Sequence, residues 1–269
     1  MQKFAFLPQL GGAAPLVATA GRLDALAQNA DAKKGAVFRP PADARRAADY
    51  ETAYTLGNST APKRSAYDTA SAAFWAGGTN TSGIPGHWLQ ISLTVLPEQT
   101  TVAETALFLA RAFGAAWDAS VAAYKLKYAL LQWRPVTAFR QGYPARGGAT
   151  AFPPDPSYTP LLMTPPHPEY PSGHTAAVGA VLEVLTRTLG RDAVVLRIGS
   201  EGAPALGERT YASLGAAAAE VGDSRVFGGV HFNASCADGL SLGRLVGGEA
   251  FDKLKMTGRG GGGKGRRLV

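Results

Sequence analysis

Residues 100–135 read TTVAETALFLARAFGAAWDASVAAYKLKYALLQWRP, and the fold is decided by how this stretch is patterned. Leu107, Ala110, Phe113, Trp117 and Val121 recur every three or four residues, the period of an α-helix with one apolar face. Pro97 precedes the run and Thr100 or Thr101 can cap it, so a long helix is expected over 100–132. Gly114 inside it costs about 1 kcal/mol relative to alanine and marks a place for a kink or break. The segment ends at Arg134-Pro135, because proline pushes the residue before it out of the α region. Lys127 and Arg134 stand seven positions apart, close to two helical turns, so the spacing predicts that they share one face. A bound anion is one reason to hold two cations together; a solvated basic edge is the bland alternative.

Working outward, apolar spacing predicts further helices over 13–29, 42–54, 63–75, 173–189, 209–221 and 235–256. Glycine- and proline-rich loops separate them, notably 76–86 and 141–170, the latter holding eight prolines before Pro171. A connection that long is usually functional or disordered. Strand-type alternation is scarce and no repeat is evident. The expected architecture is mainly α, with the site built from helix ends and loops. We divide the chain into 1–62, a helical or partly disordered N-terminal segment; 63–256, the main helical domain; and 257–269, a basic glycine-rich disordered tail.

The 269 residues, 46% hydrophobic and 17% charged, suffice for a real core. A single cysteine, Cys236, excludes an intrachain disulfide framework and any cysteine-built metal site. Arg111 and Glu183 break the most apolar runs, so no membrane span is expected and the protein reads as soluble. The net charge of +7 is concentrated in the tail, where Arg259, Lys264, Arg266 and Arg267 contribute +4 without an acid. No aromatic residue interleaves with them, so no specific nucleic-acid partner is expected. Lys3, the apolar residues 4–7 and Ala18-Thr19-Ala20 loosely imitate a signal peptide, but Pro8, Gln9, Gly11 and Gly12 interrupt it. An intracellular location is favoured over secretion.

Two more clusters carry chemistry. Pro171-Ser172-Gly173-His174 opens a helix, whose free N–H groups and positive dipole end suit an oxyanion. Ser172 sits at the N-cap, and Gly173 permits close backbone approach. Ser224-Arg225 is followed after five residues by His231, and Gly228-Gly229 between them lets the chain bend until guanidinium and imidazole converge. Each cluster alone also reads as ordinary structure.

Taken together, Lys127-x6-Arg134-Pro135, Pro171-Ser172-Gly173-His174 and Ser224-Arg225-x5-His231 resemble the signature of the superfamily of type 2 phosphatidic acid phosphatases and vanadium-dependent haloperoxidases. The flanks Trp133 to Arg140, His167-Pro168-Glu169-Tyr170 and Gly228 to Phe232 look like its soluble haloperoxidase branch. The resemblance covers roughly residues 65–254. It implies a helical bundle of the haloperoxidase/acid phosphatase type and a vanadate cofactor. Lys127, Arg134 and Arg225 would neutralise the oxygens, Ser172 and the Gly173 N–H would complete the cradle, and His231 would be the metal ligand. His174 would act as acid–base, and Lys127 would polarise the bound oxidant. Hydrogen peroxide, a halide and an organic acceptor are the implied partners.

If no vanadate is bound, the same cradle implies a phosphatase, with His231 as nucleophile and His174 protonating the leaving group. The phosphatase pattern places Asp four residues after the second histidine; here Ser235 stands there, and Asp238 is expected to project elsewhere. His167, seven residues before His174, would line the substrate pocket; the resemblance associates histidine near this place with bromide, so bromide or iodide is favoured over chloride. A third reading is an inactive anion-binding homologue. Relatives are often longer, so a homodimer or a partner subunit is also expected. Asp118 and Glu220 are expected to orient cations or cap structure, and His87 to pack.

Overall fold

The computed structural model describes residues 8–27, 38, 43–142 and 152–255. The basic tail and the first residues of the signal-like segment lie outside them. The described chain is helical: α1 (Ala20–Ala27), α2 (Asp43–Gly57), α3 (Ala66–Phe74), α4 (Gly83–Val95), α5 (Val102–Leu130), α6 (Pro135–Gln141), α7 (Gly173–Leu189), α8 (Leu214–Phe227) and α9 (Asn233–Lys253). A two-stranded antiparallel hairpin, β1 (Leu196–Gly199) and β2 (Glu208–Tyr211), pairs Leu196 with Tyr211 and Gly199 with Glu208.

The mainly α expectation holds, with local corrections. Residues 209–221 are not one helix: Glu208–Tyr211 pair as a strand, and Ser213 caps α8 by accepting the Ala216 N–H. Helix α4 starts within the glycine-rich stretch read as a loop, and His87 within it bonds the Gly199 carbonyl at 2.8 Å, tying α4 to β1. Gly114 does not break α5. It makes room for Val17, because an added Cβ there would collide with that side chain. Asp118, one turn on, accepts the backbone N–H groups of Leu16, Val17 and Ala18 at 2.6, 2.9 and 2.6 Å. One buried carboxylate thereby holds the segment before α1 against the core helix. By length and composition the span Val102–Gln141 would suffice to cross a membrane, contrary to expectation, but more than half of the apolar window within it is buried inside the fold. A core helix has that character too.

The most extensive contact joins α7 to α9. Gly239, Gly243 and Gly247 recur every fourth residue along α9 and face Ala176 and Ala180 of α7. A Cβ on Gly247 would stand 2.5 Å from the Ala180 carbonyl, and one on Gly243 would overlap the Ala176 carbonyl. The two backbones therefore touch along the seam, which sets the register of one helix on the other. Around it, Leu126, Val178, Leu182, Leu185, Leu242 and Val246 form the main core. A smaller aromatic core lies behind the start of α9, where Tyr50 of α2 stacks on Phe232 at 4.3 Å. Asp49 beside it accepts the Ala234 N–H at 3.0 Å, capping α9 from another helix.

Gly243→Ala should lower the stability by about 1–3 kcal/mol or more, since the new methyl meets backbone that cannot yield. Gly21→Ala in α1, with nothing within 4 Å of the new Cβ, should raise it by up to about 1 kcal/mol. Denaturant midpoints measure both; equal effects would contradict a contact seam.

Candidate active site

Lys127 and Arg134 are not placed as their spacing predicts, and yet their side chains converge on one strap. Helix α5 stops at Leu130, and Leu131 adopts a left-handed conformation with φ 49°. Arg134 is then the N-cap residue of α6, not a member of α5, so the two cations do not share a helix face. The chain turns back instead, and both side chains end fully buried.

They meet over the strap His167-Pro168-Glu169-Tyr170. Lys127 Nζ donates to the Pro168 and Glu169 carbonyls at 2.8 and 2.9 Å, which leaves it one N–H. Arg134 donates from Nε to the His167 carbonyl at 3.0 Å and from Nη2 to His167 Nδ1 at 3.1 Å. Its Nη1 reaches the Val230 carbonyl at 2.7 Å and His231 Nε2 at 3.0 Å. The Glu169 N–H is held by the Gln132 carbonyl at 3.0 Å, closing the strap onto the end of α5.

Arg225 lies near the end of α8, where Glu220 anchors the helix by accepting from Tyr67, Ser71, Trp75, Arg209 and Tyr211. Gly229, at φ +70°, turns the chain so that the N–H groups of Val230 and His231 both bond the Arg225 carbonyl. Arg225 is only 4% exposed, and its Nε and Nη1 meet no partner among the described residues. A buried guanidinium with two orphan donors is costly unless an anion completes it.

Ser172 caps α7, its Oγ facing the Thr175 N–H at 3.5 Å, and its own N–H bonds the Ser235 carbonyl at 3.0 Å. A Cβ on Gly173 would meet only Tyr124 and Lys127, at 3.8 and 4.0 Å, so the glycine opens space beside the ammonium. His174 donates from Nε2 to the Ala76 carbonyl at 3.1 Å, leaving Nδ1 to exchange a proton.

Sequence reading missed Glu169 as a functional residue. Its Oε1 lies 2.8 Å from His231 Nδ1 and accepts the Phe232 N–H at 3.1 Å. Ser235 Oγ is farther from Nδ1, at 3.4 Å. Asp238 is engaged elsewhere, accepting from Tyr170 at 2.7 Å, as expected for a residue three positions on. The signal was present as an acid inside a proline-rich strap, but nothing in the spacing says that it folds onto His231.

The electrostatics follow from burial of three cations around one carboxylate. Burial pushes the Lys127 ammonium well below its usual value, and Arg134 beside it adds to the effect. Arg134 and Arg225 fall to about 10, chiefly by burial. Burial raises Glu169 to about 7 although Arg134 and Lys127 oppose it. Burial and the neighbouring cations push His174 and His231 well below the ordinary imidazole value and His167 to about 2, so all three are neutral near pH 7. Burial also raises the Cys236 thiol, which makes it a poor nucleophile.

These histidines bind fewer protons folded than unfolded, so their contribution to stability declines as pH falls below about 6.5. Glu169 acts the other way, favouring the fold more as pH falls from about 7 toward 4.5. His167→Gln removes one term only. It should make the acid-side loss of stability shallower, by up to about 1.4 kcal/mol per pH unit, in denaturation measured from pH 7 downward. An unchanged slope would contradict the depressed imidazole.

Comparison with known proteins shows what the chain is similar to. A family model described as the VCPO second helical-bundle domain matches residues 107–260. Vanadium chloroperoxidase of Curvularia inaequalis is 32% identical over 146 residues, covering 48% of this chain and 24% of that protein. The crystal structure of a bacterial vanadium-dependent iodoperoxidase aligns with a TM-score of 0.73 at 26% identity, over 94% of this chain and 58% of that one. A holo-type bacterial vanadium-dependent chloroperoxidase gives 0.63 at 19% identity, over 94% and 55%, a likeness of fold alone. The chain thus spans about a quarter of the curated relative and little more than half of the solved ones. The family match runs over more than half of the chain and includes all three clusters; the chain belongs to the family of the VCPO second helical-bundle domain, within the vanadium-dependent haloperoxidase and type 2 phosphatidic acid phosphatase superfamily.

Proposed function

We propose that this chain is a vanadium-dependent haloperoxidase that oxidises a halide with hydrogen peroxide at the site built by Lys127, Arg134, Arg225 and His231. The observation that carries the reading is the buried Arg225 guanidinium, whose Nε and Nη1 meet no partner among the described residues, near Lys127, Arg134 and the Glu169 carboxylate. That excess of buried positive charge fits a tetrahedral oxyanion such as vanadate. No group of three or more His, Cys, Asp or Glu side chains arranged for a metal cation occurs among the described residues. The donor set therefore suits an oxyanion held by cations and amides, with the Nε2 lone pair of His231, now facing Arg134, as the ligating atom.

In this reading Lys127, Arg134 and Arg225 hold the oxyanion by charge-assisted hydrogen bonds, each worth about 1.5–3 kcal/mol. Ser172 and the Gly173 N–H complete the cradle at the helix N-terminus. His231 would ligate through Nε2, the nitrogen that faces Arg134 Nη1. Bound vanadate supplies Lewis-acid activation of hydrogen peroxide toward halide. His174 holds or moves a proton at Nδ1, and the remaining Lys127 N–H polarises the oxidant. His167, neutral and tied to Arg134, keeps an imidazole at the pocket, which favours bromide or iodide over chloride. An organic acceptor and pairing with a second copy belong to the same proposal.

The Glu169–His231 hydrogen bond also favours a second reading, a phosphatase in which His231 attacks a phosphate monoester. A carboxylate on Nδ1 is what such a nucleophile needs, and Ser235 cannot supply it.

Orthovanadate at about one hundred times its Kd should stabilise the fold by about 2.7 kcal/mol, a rise in Tm of roughly 5–10 °C. Arg225→Met should abolish the rise. Gly173→Ala should weaken it without lowering the Tm of the unliganded protein. Peroxide-dependent bromide or iodide oxidation should appear on adding vanadate. Phosphate release without any halide oxidation would favour the phosphatase; neither activity, with no thermal shift, would reject both.

A further inference from the structure

We propose that Glu169 is the positioning residue that fixes the tautomer and direction of His231, taking the place of the carboxylate that Ser235 lacks. The proposal rests on His231 being the ligand or nucleophile, and on a hydrogen-bond pattern that allows one tautomer only.

Both ends of the ring give the same answer. Glu169 Oε1 accepts the Phe232 N–H, so that oxygen is an acceptor and His231 Nδ1 must be its donor, at 2.8 Å. At the other end, Arg134 Nη1 has only protons to offer and lies 3.0 Å from Nε2, so Nε2 carries the lone pair. A neutral imidazole protonated at Nδ1 presents Nε2 toward the cations, the form needed for ligation or attack.

The carboxylate is itself fixed by its backbone. Its N–H is held by Gln132 and its carbonyl by Lys127, so the end of α5 determines where Glu169 stands. Glu169 comes from the strap before α7, whereas position 235 lies in the first turn of α9, the helix that His231 immediately precedes. The two positions approach the same nitrogen: Ser235 Oγ is 3.4 Å from Nδ1, and an aspartate there would bring a carboxylate oxygen within reach. One chain segment thus supplies what another has lost.

The chain contains four histidines, few enough to resolve in a spectrum of protein labelled with nitrogen-15 only at histidine. The test compares wild type, Glu169→Gln, Glu169→Ala and the double variant Glu169→Ala/Ser235→Asp at mildly alkaline pH. Each is read for the His231 tautomer, for orthovanadate affinity by calorimetry and for Tm. Wild type and Glu169→Gln should hold the proton on Nδ1, since the amide oxygen still accepts it. Glu169→Ala should populate both tautomers and lose about 10–100-fold in affinity. The double variant should recover the tautomer and most of the affinity, a rescue that a merely structural role for Glu169 would not produce.

A wild-type ring protonated at Nε2, an alanine variant with tautomer and affinity unchanged, or a double variant that folds without recovery overturns the assignment. If Glu169→Ala does not fold, wild type and Glu169→Gln decide it by tautomer alone. Failure of wild type to bind vanadate would sink the cofactor reading, while the tautomer would still judge Glu169.

Discussion

The arrangement depends on concentrating three buried cations around a single carboxylate, Glu169, among the described residues. Lys127, Arg134 and Arg225 each lie at most 4% exposed, and burial is the chief cause that depresses all three. Like charges this close repel and resist desolvation, so the fold must bind them from outside the cluster. Backbone carbonyls do most of this for Lys127 and Arg134: Pro168 and Glu169 for the ammonium, His167 and Val230 for the guanidinium. Arg225 has no such compensation at Nε and Nη1, and it is there that the demand for an external anion is greatest.

The remainder of the fold reads as the support of that cluster. The glycine seam brings α7 and α9 together so closely that the Ser172 N–H bonds the Ser235 carbonyl, which joins the oxyanion end of one helix to the imidazole end of the other. Phe232, next to His231, is stacked on Tyr50, and Asp49 caps the following turn. Small residues at the seam and aromatic residues behind the site thus hold in place the two helix ends and the residue next to His231. Binding energy at such a site is useful only if the donors are already in place.

Much of this was legible in the sequence because it is carried by local pattern. The α5 period, the cap and glycine of α7 and the Arg225–His231 bend are all set within a few residues, and three motifs with fixed internal spacing pointed to one pocket. What was not legible is long-range. Nothing near Glu169 in sequence says that it meets His231, sixty-two residues on, or that Lys127 and Arg134 converge across a left-handed turn rather than along one helix. The hairpin escaped because its strands are four residues each, too short for alternation to stand out. Gly114 was read as a weak point when it is a docking place, because the segment that fills it lies about one hundred residues away.

The most direct measurement is a crystal structure of the protein grown with orthovanadate. The account predicts one bound anion bounded by Lys127, Arg134, Arg225 and the Gly173 N–H, beside His231 Nε2, with Arg225 Nε and Nη1 no longer orphaned. An anion bound elsewhere, or a pocket in which Arg225 stays unpaired at saturating vanadate, would contradict it.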